Sequence, residues 1–215
     1  MSFTDILTRG LIANGGTVQY VIGVIVTAIV AYAAGNANFA LIFGCDGESP
    51  KFLRVVAFAC DIVVGIVAVF VGVLFMPADG FGCLAAVFCL IGHARPLWTR
   101  RRTGRCTDVL FGVMAALNPP VCLFILLIYI VTVSLSHYRA LGAVVAACLF
   151  PIGHALVPFS MFVSSVGDVR SLVNYLMCRI APIGIAFAVA FIYRDSINRM
   201  LRGTEPKTGA KTNNY

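Results

Sequence analysis

Long apolar runs separated by short polar stretches dominate the chain. Val18–Phe43 and Phe52–Met76 each exceed the ~20 mostly apolar residues that an α-helix needs to cross a bilayer. Ala140–Val157 and Leu172–Tyr193 are of similar character, whereas Gly80–Ile91 is short and reads as a tilted or partial span. Val109–Val133 is long but carries Asn118-Pro119-Pro120 in its middle. Proline has no N–H to continue the helical ladder, so this run is either one kinked span or two short ones. Frequent Gly and Ala inside the runs suit close helix packing in lipid.

Composition agrees with that pattern. Of 215 residues, 60% are hydrophobic and 12% charged, against ~45–50% and ~25% in an ordinary soluble domain. A chain this apolar cannot cover itself with charge in water, so it is expected to be an integral membrane protein. The charges are unbalanced, 16 Lys+Arg against 9 Asp+Glu for a net +7. In a membrane protein that excess marks cytoplasmic loops rather than nucleic-acid binding.

Two segments hold much of the excess. One contains Arg95, Arg100, Arg101, Arg102 and Arg105; the other contains Arg194, Arg199, Arg202, Lys207 and Lys211. Placing both in the cytoplasm requires an even number of crossings between them. Counting the Pro-broken run as two helices meets that requirement. The expected fold is therefore an all-α polytopic bundle of about seven spans, some short or broken, with the N-terminus outside and the C-terminus cytoplasmic. Residues 1–17 read as a lead-in, 18–202 as one transmembrane domain and 203–215 as a flexible cytoplasmic tail.

The first run resembles a signal peptide superficially, but it continues apolar to Phe43 and its leader balances Arg9 with Asp5, which favours a first transmembrane helix. Of the eight cysteines, Cys60, Cys83, Cys89, Cys122, Cys148 and Cys178 lie in apolar runs, and no C-x-x-C pair occurs. They read as small hydrophobes, and neither a metal site nor a cofactor is expected.

Polar residues within the spans are costly in lipid and tend to face the bundle interior. Asp61 is either a substrate or proton site or a hydrogen-bonded structural carboxyl, with Arg179 as one conceivable partner. Asn36 and Asn38 fit hydrogen bonding between helices or contact with a polar ligand, and His154 fits packing. In the basic stretch from Gly92 to Arg105, guanidinium forks match phosphate oxygens, and Gly104 lets backbone N–H groups approach them. The plainer reading is that these arginines set topology and touch anionic lipid heads.

The order of several motifs resembles one family. "AYAAGNANFALIF" is similar to A-Y-L-x-G-S-I-P-F-G, and "DIVVGIVAV" from Asp61 to D-x-x-K-G-x-x-A. "GHARPLWTRRRTGR" resembles G-H-x-x-P-x-F-L-x-F-K-G-G-K-G, and "FGVMAALNP" resembles L-G-V-L-L-A-L-x-P. "TVSLS" is similar to R-Y-V-S-L-A-S, and "YRDSINRMLRGTEPKTG" to H-R-E-N-I-x-R-L-L-x-G-T-E-x-K. Together they resemble the bacterial acyl-phosphate-dependent glycerol-3-phosphate acyltransferases, the PlsY-type family, from about Ala31 to Lys207. The chain lacks that family's first-loop motif G-S-G-N-x-G-A-T-N. Val64 stands at the Lys of D-x-x-K-G, and Tyr193 and Ser196 stand where the family has His and Asn.

The resemblance implies transfer of an acyl chain from acyl phosphate to the 1-hydroxyl of glycerol 3-phosphate, at the bacterial inner membrane and among membrane lipids. It makes Arg102, Gly104 and Arg105 candidates for holding phosphate, with His93 organising the loop. Asp61 and Ser134 would face the same pocket, and Arg199 and Glu205 would support it from the tail. No nucleophile is assigned. The alternative is a catalytically lapsed member acting as a membrane partner or lipid-binding protein, and a small transporter is a third reading.

Overall fold

The structure, a computed structural model, describes residues 17–44, 49–75, 79–96, 106–157, 169–205 and 207. Its elements are α1 (Thr17–Gly35), the single-turn α2 (Phe39–Ile42), α3 (Lys51–Phe75), α4 (Asp79–Ala94) and α5 (Thr107–Leu117). After them come α6 (Pro119–Ser136), α7 (Arg139–Leu156), α8 (Val169–Ile192) and α9 (Arg194–Leu201). Among the described residues, four stretches are long and apolar enough to cross a membrane: Val21–Ile42, Lys51–Leu74, Pro119–Ser136 and Arg139–Leu156. Phe81–Ala94, Thr107–Leu117 and Pro182–Ile192 are shorter apolar helices. The protein is thus an all-helical, multi-pass membrane bundle. Its short fourth helix reaches Ala94, three residues beyond the expected end, and so carries His93 within its last turn.

The Pro-broken run is two helices that fold back on each other. The rings of Phe111 and Tyr129 meet edge-on, their centroids 5.0 Å apart. One continuous helix would hold them about 27 Å apart, at 1.5 Å rise per residue. Asn118 makes the reversal: its N–H bonds the Met114 carbonyl to finish α5, and its Oδ1 accepts the Val121 N–H to start α6. Pro119 and Pro120 fill the first two helical positions, where a missing N–H costs nothing. The amide of Asn118 donates to the Val157 carbonyl at 3.0 Å and lies 3.3 Å from His154 Nδ1, so His154 is a packed, hydrogen-bonded residue at the end of α7.

Glycines set how closely the helices pack. A Cβ built on Gly35 would strike the Cys89 carbonyl, and one on Gly92 the Tyr32 carbonyl, so α1 and α4 touch backbone to backbone. Gly65 and Gly112 do the same for α3 and α5 against Val109 and Ile62. In lipid there is little hydrophobic drive between helices, and such close backbone approach supplies the van der Waals contact that holds them. The buried core between these crossings contains Leu90, Val109, Leu110, Met114, Phe150 and Ile185.

These contacts bring the ends of several helices to one face. The Tyr32 hydroxyl donates to the Arg95 carbonyl at 3.0 Å, joining the ends of α1 and α4. The Tyr193 hydroxyl accepts the Cys106 N–H at 3.2 Å, joining the end of α8 to the start of α5. Arg95 and Arg194 both contact the ring of Phe191. The described parts of both basic segments, Arg95 and Arg194, therefore lie on the same side, with α5, α6, α7 and α8 between them among the described residues. This is the even count that the charge pattern requires.

Candidate functional site

Three polar side chains from distant parts of the chain meet just inside that face. Asn38, Asp61 and His93 are 3%, 1% and 2% exposed. Asn38 closes the turn after α1 and caps α2, its Oδ1 accepting the Leu41 N–H at 3.0 Å. That bond orients the amide, so Nδ2 faces His93 Nε2 at 3.1 Å. An amide nitrogen only donates, which makes Nε2 an acceptor and places the imidazole proton on Nδ1. Asp61 Oδ1 accepts the Phe39 N–H at 2.9 Å. Its Oδ2 stands 3.9 Å from His93 Nε2 and makes no hydrogen bond among the described residues. With Nε2 unprotonated, this last pair is a close approach of two acceptors rather than an ion pair.

The carboxylate of Asp61 thus pins the turn between α1 and α3, which fits the structural reading of that residue. The same turn presents Asn38 to His93, so the histidine at the end of α4 is held rigidly. Nothing in the periodicity of the runs marks Asn38 for this role; the usable signal is a helix-capping residue interrupting an apolar run.

The basic loop is anchored at both described ends. On one side the Arg95 carbonyl is held by Tyr32, and its guanidinium carbon lies 5.2 Å from the Phe191 centroid. On the other, Tyr193 holds Cys106 through its N–H and contacts Thr107 Oγ1 at 2.9 Å. With the Cys106 N–H on its oxygen, the Tyr193 hydroxyl has its own proton to donate to Thr107 Oγ1. Tyr193 is a contact that sequence reasoning undervalued, because a tyrosine following an apolar span reads as an interface residue. Arg102, Gly104 and Arg105, the phosphate candidates, lie outside the described residues, as does the side chain of Arg179.

The tail candidates bind each other. Arg199 Nε donates to Glu205 Oε2 at 2.6 Å, and its Nη2 donates to Ser196 Oγ at 2.9 Å. The hydrogen bond it donates to Glu205 raises the pKa of Arg199. Gly203 at φ +71 turns the chain back, and the Thr204 N–H reaches the Arg199 carbonyl at 2.8 Å. Arg199 and Glu205 therefore close the end of α9. Ser134 is exposed near the end of α6. The structure brings together Asp61 and His93 among the candidates, and separately Arg199 and Glu205.

The bundle has the fold of a class of integral membrane acyltransferases. Two crystal structures of PlsY (YgiH), an integral membrane glycerol 3-phosphate acyltransferase, share this fold. The glycerol 3-phosphate form superposes with a TM-score of 0.67 at 19% identity, covering 86% of this chain and 96% of that one. The lysophosphatidic acid form gives 0.67 at 20% identity, with 86% and 94% covered. A family model described as glycerol-3-phosphate acyltransferase matches residues 49–203, and the chain belongs to that family. A glycerol-3-phosphate acyltransferase of Thermoanaerobacter sp. (strain X514) is 26% identical over 208 residues, covering 87% of this chain and 97% of the relative. One from Parasynechococcus marenigrum (strain WH8102) is 32% identical over 165 residues, covering 77% and 69%.

Proposed function

We propose that this protein transfers an acyl chain from acyl phosphate to the 1-hydroxyl of glycerol 3-phosphate, at the cytoplasmic face of a bacterial inner membrane. The observation that carries the reading is the meeting of the helix ends that flank both basic segments, beside a buried Asn38–His93–Asp61 group, in a chain of this family. The N-terminus then lies outside and the tail in the cytoplasm, following the positive-inside rule.

In this reading the acyl tail stays in lipid while cations at the interface hold the phosphate groups. The 1-hydroxyl oxygen bonds to the acyl carbon, the bond from that carbon to the phosphate oxygen breaks, and inorganic phosphate leaves. The hydroxyl proton departs with phosphate or to water. Acyl phosphate is already activated, so no protein nucleophile is required. Arg102 and Arg105 supply charge to the phosphoryl oxygens, with backbone N–H groups approaching beside Gly104. His93, fixed by Asn38, organises the start of the loop, Asp61 pins the adjoining turn, and Ser134 lines the approach. Arg199 and Glu205 brace the tail. Alignment of the two substrates on one face contributes the remainder.

The test is phosphate release by the purified full chain, mixed with acyl phosphate and glycerol 3-phosphate in micelles. Release that falls at least about a hundredfold in Arg105→Ala supports the reading, the size expected from removing one charge-stabilising donor. Absence of release by the folded protein overturns it and leaves a non-enzymatic membrane protein on the same scaffold. An undiminished rate in Arg105→Ala overturns the assignment of that residue.

A further inference from the structure

One feature of the cytoplasmic rim lies outside the Asn38–His93–Asp61 group. The ring of Phe191, at the end of α8, is contacted by two guanidinium groups from different parts of the chain. Arg95 follows α4 and approaches to 5.2 Å from the ring centroid, and Arg194 begins α9 and approaches to 4.8 Å. A guanidinium held by a ring keeps its N–H donors available, and their fork geometry matches phosphate oxygens. Arg194 also lies 3.5 Å from Asp195, while Arg95 has no ion pair among the described residues. Two cations against one carboxylate leave net positive charge at the rim.

Below this pair runs an apolar ridge. Ile180, Ile183, Phe187 and Phe191 are all exposed, and their spacing of three, four and four residues puts them along one side of α8. From Ile180 to Phe191 the ridge is about 16 Å long at 1.5 Å per residue. One leaflet of a bilayer contributes about 15 Å of hydrocarbon, half of the ~30 Å core. A ridge one leaflet deep, ending in guanidinium groups, matches a phospholipid in both length and charge.

We infer that Arg95, Arg194 and the α8 ridge form a binding site for an anionic phospholipid of the cytoplasmic leaflet. The phosphate sits on the two guanidinium groups, and an acyl chain lies along Phe191, Phe187, Ile183 and Ile180. Charge selects the lipid: a zwitterionic head brings its own cation to the rim, whereas phosphatidic acid or phosphatidylglycerol does not. The site does not depend on acyl transfer, since none of these residues is assigned to the reaction.

The experiment is native mass spectrometry of the full chain released from micelles doped with phosphatidylglycerol, phosphatidic acid or phosphatidylcholine. The protein is expected to retain the two anionic lipids in preference to phosphatidylcholine. In the R95A/R194A double variant that retention should fall about thirtyfold, the size expected for losing two juxtamembrane cations. Phe187→Ser should weaken retention of all three lipids while leaving the anionic preference intact. The single variant Arg95→Gln, which keeps an exposed polar side chain, covers the case in which the double variant does not fold; it should lose about fivefold. Unchanged anionic preference in folded Arg95→Gln overturns the proposal. So does release of the lipid by millimolar inorganic phosphate or glycerol phosphate, which would mark a site for a water-soluble phosphate instead. Phosphate release from acyl phosphate, measured in parallel, reports separately on the proposed reaction.

Discussion

The side-chain amide of Asn38 donates to Nε2 of His93 across 3.1 Å, and so decides which imidazole nitrogen carries the proton. The orientation is not free, because the other end of the amide is occupied by the Leu41 N–H. Asp61 Oδ2, 3.9 Å from the same nitrogen, receives no proton from it in this state. Both contacts lie in a group that water does not reach.

The first prediction concerns that tautomer. Nitrogen-15 NMR of the histidine ring should find His93 Nε2 unprotonated and Nδ1 protonated in the native protein. Asn38→Asp replaces the donor with a carboxylate oxygen, so the proton should move to Nε2. A ring that keeps the proton on Nδ1 in Asn38→Asp would contradict the role given to Asn38. Asn38→Leu instead removes the side-chain cap of α2 and the donor to His93, while the Leu41 N–H keeps the Asn38 carbonyl at 3.1 Å, and thermal unfolding should show a loss of about 0.5–2 kcal/mol.

The glycine crossings make a second prediction, with an internal control. In Gly112→Ala the new methyl meets the Ile62 carbonyl, so α3 and α5 must part. Overpacking of this kind costs about 1–3 kcal/mol, measurable as unfolding in detergent. In Gly184→Ala the methyl meets only Val87 Cγ2 at 3.5 Å, an ordinary contact. That variant should match or exceed native stability, because alanine favours the helix by up to about 1 kcal/mol.

A third prediction follows from the phenol at the end of α8. Tyr193→Phe leaves the buried Cys106 N–H unpaired, for an expected loss of about 1–3 kcal/mol. Thr107→Val removes a partner from the same network. The double variant should therefore cost less than the sum of the two single ones, since residues in one hydrogen-bond network couple. Strict additivity in chemical denaturation would argue that the two groups act separately.

The tail pair should behave differently. Arg199 and Glu205 are joined by a short charge-assisted bond, but the arginine side chain is 51% exposed, and solvent screens such pairs. Arg199→Ala should change global stability by less than about 1 kcal/mol, and by less again in molar salt. Its local effect should be larger: amide hydrogen exchange at Thr204, whose N–H closes on the Arg199 carbonyl, should accelerate. Unchanged exchange there would mean that the turn at Gly203 holds without the pair.

Much of the architecture was legible in the chain because a bilayer imposes one rule on every segment. Backbone groups in hydrocarbon must be satisfied within the segment, so the length of an apolar run by itself indicates a crossing helix. Asn118-Pro119-Pro120 could be read as a break for a similar local reason, and charge parity then favoured a reversal over a kink. The family too was visible, in motifs that are local and ordered.

The assembly of the polar end was not legible. Asn38, Asp61 and His93 lie on separate elements, and their meeting depends on the rotation and depth at which α1, α3 and α4 cross. Helices that are apolar nearly all round carry no stripe to announce their facing side. What decides it is backbone contact at Gly35, Gly65, Gly92 and Gly112, a matter of shape between distant segments. The sequence alone determined that the chain crosses the membrane, where it turns and which ends share a side. Only tertiary packing decided that Asp61 holds a turn, that His93 is gripped by Asn38, and that Arg199 and Glu205 occupy each other.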